Sequence, residues 1–331
     1  MKLAVTGITS GIGERLAEVA LERGHAISAL VRQPDRDNAR ALAARGVRLV
    51  RGDLDDVSAL TDVARNADVM VHMAAHVGDW GPPEQFERVN VGGTRNALEA
   101  TAAARVPRFV QLSSTAVYGR PDRGRVTEEW PTLKSGLPYE DTKTTAERLA
   151  FERGAELGLA VVAVRPPIVY GPHDKNFMPR VMAALRHRRF LLVDGGRAPL
   201  NVVWVDHVVD VILRAAARSD LGGEAFNVMD DVSERPPSVR EVGETIAREA
   251  GLPPPSLSLP FPVAMAMGHT LQRAYQLARA ERPPPISPFV VKLLTRDVVY
   301  DASKATRLLG WKPEVGALEG IAREARRRAA S

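Results

Sequence analysis

Lys2-Leu-Ala-Val-Thr-Gly-Ile-Thr-Ser-Gly-Ile-Gly13 is the stretch on which the reading of this chain turns. An apolar run over Lys2–Thr6 enters a glycine-rich turn, and Glu14–Arg23 beyond it carries apolar residues at helical spacing. Strand, glycine turn and helix together suit a dinucleotide. Glycines let the backbone turn tightly, and the free N–H groups and dipole at the helix start favour a pyrophosphate. The competing reading is a tight turn that holds no ligand.

The same alternation continues outward from this unit. Ala26–Val31, Val47–Arg51, Val69–His72, Arg108–Leu112 and Ala160–Val164 read as strands, with helices over Ala39–Arg45, Glu84–Ala104 and Tyr139–Leu157. Continuous apolar strands separated by amphipathic helices predict a parallel sheet covered on both faces, the doubly wound (Rossmann) α/β architecture. Ligand sites in that architecture lie beyond the carboxyl ends of the strands. Past Arg165, prolines cluster at Pro236-Pro237, Pro253–Pro255, Pro260 and Pro262, and Pro283–Pro285, between shorter helices. The expected division is a dinucleotide-binding domain over 1–165 and a smaller, mostly helical, mainly substrate-binding lobe over 166–331. The two are interleaved, with Val202–Leu213 and Ala225–Val228 reading as strands and a helix that return to the main sheet near 200–230.

Composition narrows the function class. The 331 residues suffice for one sizeable core plus an accessory lobe, and 45% hydrophobic with 26% charged residues is ordinary for a globular protein. With no cysteine there are no disulfides and no thiolate metal sites, and no metal is expected. The net charge of +5 is mostly interleaved with acids; the short basic runs His187-Arg-Arg189 and Arg326-Arg-Arg328 accompany no nucleic-acid motif, so no nucleic-acid partner is expected. No stretch reaches the ~18 apolar residues of a membrane span, and Met1–Thr6 has no signal-peptide character. A cytoplasmic location is the expectation.

The second strand bears on the choice of dinucleotide. An NAD site usually ends this strand with an acid for the ribose 2′-hydroxyl, whereas an NADP site needs positive charge for the 2′-phosphate. In Ala26-Ile-Ser-Ala-Leu-Val-Arg32 the acidic slot is Val31 and a guanidinium follows. NADP(H) is therefore preferred over NAD(H), against the alternative that Arg32 is only a solvated surface residue. In Arg51-Gly-Asp53-Leu54, Asp53 stands where a carboxylate would meet the adenine amino group, or where it would cap the helix beginning near Asp56.

Tyr139-Glu-Asp-Thr-Lys143 places a phenol and an ammonium four residues apart, on one face of a helix. A free phenol, with a pKa of about 10, is a poor base at neutral pH, and a nearby cation brings it toward the working range. An accidental surface pair would look the same in isolation. Upstream, Phe109-Val-Gln-Leu-Ser-Ser-Thr-Ala-Val-Tyr-Gly119 is an apolar strand ending in hydroxyls. Ser114 could donate to a substrate carbonyl there, while Ser113 could satisfy the strand terminus.

These residues carry a close resemblance to the extended branch of the short-chain dehydrogenase/reductase superfamily. Matching segments are Val71-His-Met-Ala-Ala75, Val89-Asn-Val-Gly-Gly-Thr-Arg-Asn-Ala-Leu-Glu-Ala100, Leu112–Gly119, Tyr139 with Lys143, and Arg165-Pro-Pro-Ile-Val-Tyr-Gly-Pro172. Val205-Asp-His-Val208, Gly223-Glu-Ala-Phe-Asn227, Asp301-Ala-Ser-Lys-Ala and Leu309-Gly-Trp-Lys-Pro313 complete the series over essentially the whole chain. The resemblance implies that Tyr139 is the general acid/base, Ser114 its partner on the substrate oxygen, and Lys143 the group that holds the nicotinamide ribose and lowers the Tyr139 pKa. It implies further cofactor contacts at Gly7, Thr9, Ser10, Gly11, Ile12, Gly13, Arg32, Asp53, Leu54, Ala74, Ala75, Asn90, Pro167 and Ile168. One departure stands out: the extended branch spaces its loop glycines Gly-x-x-Gly-x-x-Gly, but here Ser10 fills the middle slot and Gly11 follows, which puts the loop geometry in question.

The extended branch includes nucleotide-sugar epimerases and dehydratases as well as reductases. The sugar-nucleotide members resemble one another in two phosphate-binding arginines, and the corresponding positions here are Pro199 and Val291, with Arg197 and Arg296 nearby. Pro262–Ala278 reads as a helix whose Met265 and Met267 suit the walls of a greasy site, or an ordinary core-facing helix. His76-Val-Gly-Asp-Trp-Gly-Pro82 is similar to 3β-hydroxysteroid-dehydrogenase-like and 2-alkyl-3-oxoalkanoate-reductase-like members. The leading expectation is an oxidoreductase that interconverts a ketone and a secondary alcohol on a hydrophobic, steroid-like or 3-oxoacyl-like substrate. A nucleotide-sugar epimerase and a non-catalytic NAD(P)-sensing protein are the alternatives. Beyond the small carbonyl or alcohol substrate, a second copy of the chain, in a homodimer, is the partner to consider.

Overall fold

A computed structural model describes residues 1–78, 80–232, 234–278, 280 and 284–330; Asp79 and Pro283, in segments quoted above, lie outside the described residues. The first half runs β1 (Lys2–Thr6), α1 (Gly11–Glu22), β2 (Ala26–Val31), α2 (Asp37–Ala44), β3 (Arg48–Arg51), α3 (Val57–Ala64) and β4 (Val69–His72). It continues with α4 (Pro83–Phe86), α5 (Gly93–Ala103), β5 (Arg108–Leu112), β6 (Arg123–Val126), α6 (Pro138–Glu156) and β7 (Ala160–Arg165). Then come β8 (Ile168–Tyr170), α7 (Phe177–Arg186), β9 (Leu191–Val193), β10 (Val202–Trp204), α8 (Val205–Ala216), β11 (Ala225–Asn227) and α9 (Val239–Ala250). The chain closes with β12 (Leu257–Leu259), α10 (Phe261–Leu277), α11 (Pro288–Leu293), β13 (Asp297–Tyr300), α12 (Ser303–Leu309) and α13 (Ala317–Ala329).

Seven strands form one parallel sheet in the order β11-β7-β5-β4-β1-β2-β3. The order reverses beside β1, which opens the crevice in which doubly wound folds bind their ligands. Successive residues of a strand point to opposite faces, and here both faces are buried. Leu3 and Val5 join Leu16, Ala17 and Ala20 of α1 and Val208, Val209 and Ile212 of α8 on one side. Ala4, Met70 and Phe109 join Leu60 and Val63 of α3 and Ala97 and Leu98 of α5 on the other. That is why the strands read as unbroken apolar runs.

Two expectations need correction. Val202–Leu213 does not enter the main sheet as a strand: β10 pairs in parallel with β8 in a separate two-stranded sheet, and α8, which follows, packs on the main sheet with its apolar face. The helix expected over Glu84–Ala104 is not continuous. Glu87–Gly92 winds as a π-helical turn between α4 and α5. The extra residue in that turn carries the buried Asn90, whose Oδ1 accepts from the His76 backbone at 2.7 Å while its Nδ2 donates to the Thr142 hydroxyl at 3.0 Å. Among the described residues no helix is long and apolar enough to cross a membrane, and no group of three or more His, Asp or Glu side chains could hold a metal ion.

Candidate active site

The glycine turn shows why its spacing departs from the extended-branch pattern. Gly7 has a φ of +77°, open to glycine at little cost, and a Cβ there would meet the Ala74 backbone nitrogen at 2.6 Å. Gly13 packs the start of α1 onto the turn, where a Cβ would meet the Ile8 Cα at 2.6 Å. Ser10 has an ordinary extended backbone and caps α1: its Oγ accepts from the Gly13 amide at 3.1 Å and donates to the Gly7 carbonyl at 2.8 Å. The position therefore needs no glycine. Gly11 is required for a different reason, because a Cβ there would lie 2.6 Å from the carbonyl of His173 in the segment after β8. His173 in turn is held by Glu14 at 3.1 Å and Glu18 at 2.9 Å, both on α1. Thr9 and Ile12 flank the turn and are half-buried.

Around this turn the other expected cofactor residues gather at the carboxyl ends of the strands. Ala74 and Ala75 follow β4, and the Ala74 amide donates to Thr6 Oγ1 at the end of β1 at 3.3 Å. Arg32 follows β2, is exposed and forms no ion pair among the described residues. Asp53 is exposed after β3 and accepts from the Leu54 amide at 2.8 Å. It does not cap α3; Asp56 does, accepting from Ala59 at 2.9 Å. Leu54 is buried against Gly93 of α5, and its carbonyl takes a hydrogen bond from Asn96 at 2.8 Å. Pro167 and Ile168 are drawn to the serine segment by the Thr115 amide, which donates to the Pro166 carbonyl at 3.1 Å.

These residues fit a dinucleotide. The turn leads into the N-terminus of α1, whose dipole and free backbone N–H groups favour an anion, an exposed guanidinium follows β2, and polar atoms without partners among the described residues line the buried strand ends. His72 Nε2 and Ser113 Oγ are buried with no hydrogen-bond partner among the described residues. Burial and the Lys143 charge push the His72 pKa down to about 3, so the ring is neutral, with Nδ1 2.8 Å from Thr6 Oγ1. Ser113 satisfies the strand terminus through its backbone, its amide donating to the Val164 carbonyl at 2.8 Å, and not through its hydroxyl.

Tyr139 enters helix α6 one residue after Pro138, whose fixed φ and missing N–H suit a helix start. Its phenol lies within reach of the Ser114 side chain. Ser114 caps the 3₁₀ turn Thr115–Tyr118, its Oγ accepting from the Ala116 amide at 3.1 Å. Lys143, one turn further along α6 and 4% exposed, donates from Nζ to the Leu112 carbonyl at 2.6 Å. Burial pushes the Lys143 pKa down to about 8, opposed by the charge of Glu147. Burial also pushes the Tyr139 phenol up to about 12; the Ser114 side chain works against this and the Glu140 charge with it. The resting phenol is thus a protonated acid. Ser114, Tyr139 and Lys143 are brought together, but the ammonium is engaged by the β5 backbone.

Leu137, just before helix α6, lines a cavity of about 450 Å³ together with Trp80, Gln272, Gln276, Ser287 and Phe289 among others. From α10 the cavity receives two glutamines and not the expected methionines. Met265 packs instead against Val193, Ala264 and Val291, because the helix turns that face toward β9 and α11. Sequence reasoning also passed over Glu140, Arg120, Thr115 and Tyr300. Tyr300 stacks on Tyr118 with ring centroids 5.8 Å apart, and its phenol lies within reach of the Thr115 side chain. Only their adjacency to quoted motifs, directly after Ser114, Tyr139 and Gly119 and before Asp301, hinted at them.

The sequence model described as the NAD dependent epimerase/dehydratase family matches residues 3–228. A 2-alkyl-3-oxoalkanoate reductase of Stenotrophomonas maltophilia (strain K279a) is 29% identical, covering 98% of each chain. A 4-hydroxy-2-methyl-3-oxo-4-farnesyl-3,4-dihydroquinoline-1-oxide ketoreductase of Stigmatella aurantiaca is 31% identical, over 97% of this chain and 95% of that one. Among solved structures, MoeE5 in complex with UDP-glucose and NAD superposes with a TM-score of 0.77 and 27% identity, covering 100% of this chain and 99% of that chain.

Proposed function

The chain belongs to the NAD dependent epimerase/dehydratase family, and from that premise we propose that it is an NADP(H)-dependent oxidoreductase interconverting a ketone and a secondary alcohol on a hydrophobic, 3-oxoacyl-like or steroid-like substrate. The observation that carries this reading is the Tyr139 phenol within reach of the Ser114 side chain, with Lys143 one helical turn away on α6 and a cavity walled by Trp80, Leu137 and Phe289 at the start of that helix. When bound, the nicotinamide dinucleotide supplies or accepts a hydride at the substrate carbon. The protein's part is the proton. In reduction, the Tyr139 phenol, kept protonated by burial, gives its proton to the carbonyl oxygen, while Ser114 donates a hydrogen bond to the same oxygen and stabilises the charge developing there. The Lys143 ammonium favours the phenolate that is left, and oxidation runs the same proton in reverse. Arg32 offers the charge for a 2′-phosphate.

The likeness to MoeE5 keeps a sugar-nucleotide reading in view, but the two positions that would hold a pyrophosphate speak against it. Val291 is 1% exposed within an apolar cluster, and Pro199 lies in a segment bridged to Ser238. Neither offers a charge-assisted donor.

Turnover of NADPH with hydrophobic ketones, 3-oxo acids and steroids tests the proposal. We expect oxidation of NADPH with at least one of these classes, abolished by Tyr139→Phe. No turnover with any of them, with either dinucleotide, would overturn it.

A further inference from the structure

Two arginines from distant parts of the chain meet around Glu140, the residue after Tyr139, and each holds hydrogen-bonding capacity that nothing among the described residues uses. Arg120, just beyond the 3₁₀ turn, donates from Nε to Glu140 at 3.1 Å, while its Nη2 is buried without a partner. Its guanidinium lies 5.2 Å from the centroid of the Phe289 ring. Arg296, between α11 and β13, has a buried Nε without a partner and forms no ion pair among the described residues. The two are close enough to interact. Burial lowers the Arg296 pKa and the Arg120 charge lowers it further, against the opposing influence of Tyr300, Glu140 and Asp122. A guanidinium withdrawn from water with donors unmet is costly, and an anion is what would offset that cost. Glu140 is the one buried carboxylate of the group, since Asp122 is exposed to water. Two guanidiniums against one buried carboxylate leave a single positive charge, which suits a monoanion.

The position of the pair says which anion. Glu140 follows Tyr139 directly, and Tyr300, whose phenol feels Arg296, lies within reach of Thr115, which follows Ser114. Phe289, under Arg120, lines the cavity together with Leu137. An anion on this pair is therefore a short distance from the carbonyl that Ser114 and Tyr139 would hold. We propose that Arg120 and Arg296 bind a carboxylate carried by the substrate a short spacer away from its reacting carbonyl, so that the preferred substrate is a free oxo acid and not the neutral ketone or ester. This rests on the ketone/alcohol reading of the Ser114–Tyr139 site. The arginines act by binding and orienting, since planar guanidiniums match a carboxylate in shape and charge.

The test compares 3-oxodecanoate with its methyl ester, which keeps the chain and the ketone but loses the charge. The wild-type kcat/KM should favour the acid by about tenfold or more, the scale of one lost charged hydrogen bond. Arg296→Gln should bring the ratio close to one through a higher KM for the acid, with the ester affected far less, and Arg296→Lys should restore part of the preference. Arg296 is varied because Glu140 depends on Arg120. If Arg296→Gln does not fold, Arg296→Lys carries the same comparison, with an intermediate ratio expected. Decanoate, titrated calorimetrically into the dinucleotide-loaded protein, reads the pair without any turnover and should bind about tenfold more weakly to the variant. Decanoate binding that depends on Arg296 with no turnover of either ketone would sink the oxidoreductase reading and leave the pair standing. Equal turnover of acid and ester, with decanoate binding indifferent to Arg296, would sink the pair and leave the oxidoreductase reading intact.

Discussion

The Lys143 ammonium donates to the Leu112 carbonyl over 2.6 Å, so helix α6 is pinned to the end of strand β5. One contact thereby fixes the helix that carries Tyr139 against the strand end that carries Ser114. The three residues proposed to do the chemistry are held in register by the same lysine that would favour the phenolate.

Tyr139→Phe should leave dinucleotide binding nearly intact and lower turnover by ~100-fold or more, the usual scale of a lost general acid/base. Ser114→Ala should cost a comparable factor with the fold kept. Steady-state rates beside a cofactor titration check both, and near-normal turnover in the Phe variant would refute the assignment.

The depressed Lys143 pKa has a consequence for stability. Between about 8 and the ordinary 10.5, the unfolded chain holds a proton that the folded chain has released. The contribution of Lys143 to stability therefore rises with pH across that window, and below pH 8 the folded protein carries the full cost of a buried ammonium. Without added dinucleotide, Lys143→Met should be more stable than wild type at pH 7 by on the order of 1–3 kcal/mol, after allowing for the lost hydrogen bond. The advantage should shrink toward pH 10.5. Denaturation at several pH values measures it, and a variant less stable at pH 7 would contradict the expectation.

NADP(H) should be preferred to NAD(H) in kcat/KM, because Val31 offers a ribose no acceptor and Arg32 is exposed and forms no ion pair among the described residues. Arg32→Ala should weaken NADPH and leave NADH little changed. A higher wild-type kcat/KM for NAD(H) would refute the preference.

Two changes in the glycine turn should differ in size. Ser10→Gly, which restores the extended-branch spacing, removes a helix cap and should cost only a few tenths of a kcal/mol. Gly11→Ala puts a methyl 2.6 Å from the His173 carbonyl, which Glu14 and Glu18 keep from retreating. A cost of about 1–3 kcal/mol and weaker dinucleotide binding are expected. Thermal melts rank the two; Ser10→Gly costing more than Gly11→Ala would invert the account.

UDP-glucose and dTDP-glucose should not bind measurably, since the positions of the two phosphate-binding arginines hold Pro199 and the buried Val291. Losing two charge-assisted partners, each of ~1.5–3 kcal/mol, weakens binding by orders of magnitude. Calorimetry on the NADP-loaded protein is the measurement, and micromolar affinity for either compound would promote the epimerase alternative.

The sequence by itself determined what local rules govern. Unbroken apolar runs, helices at 3.6 and the glycines between them were enough for the doubly wound sheet, because its central strands are buried on both faces and so show their pattern. Tyr139 and Lys143 were legible as a pair because four residues make about one helical turn, and Ser114 because a strand ends just before it. Tertiary structure alone decided the rest. The π-helical turn depends on Asn90 reaching His76 and Thr142, and Gly11 is explained only by the carbonyl of His173. Met265 of α10 faces an apolar cluster because β9 and α11 lie there, while Gln272 and Gln276 line the cavity. Arg120 and Arg296 are 176 positions apart in the chain and become neighbours only when β13 pairs with β6. No periodicity records such a meeting, because long-range contacts depend on where whole elements dock and not on the spacing of residues within them.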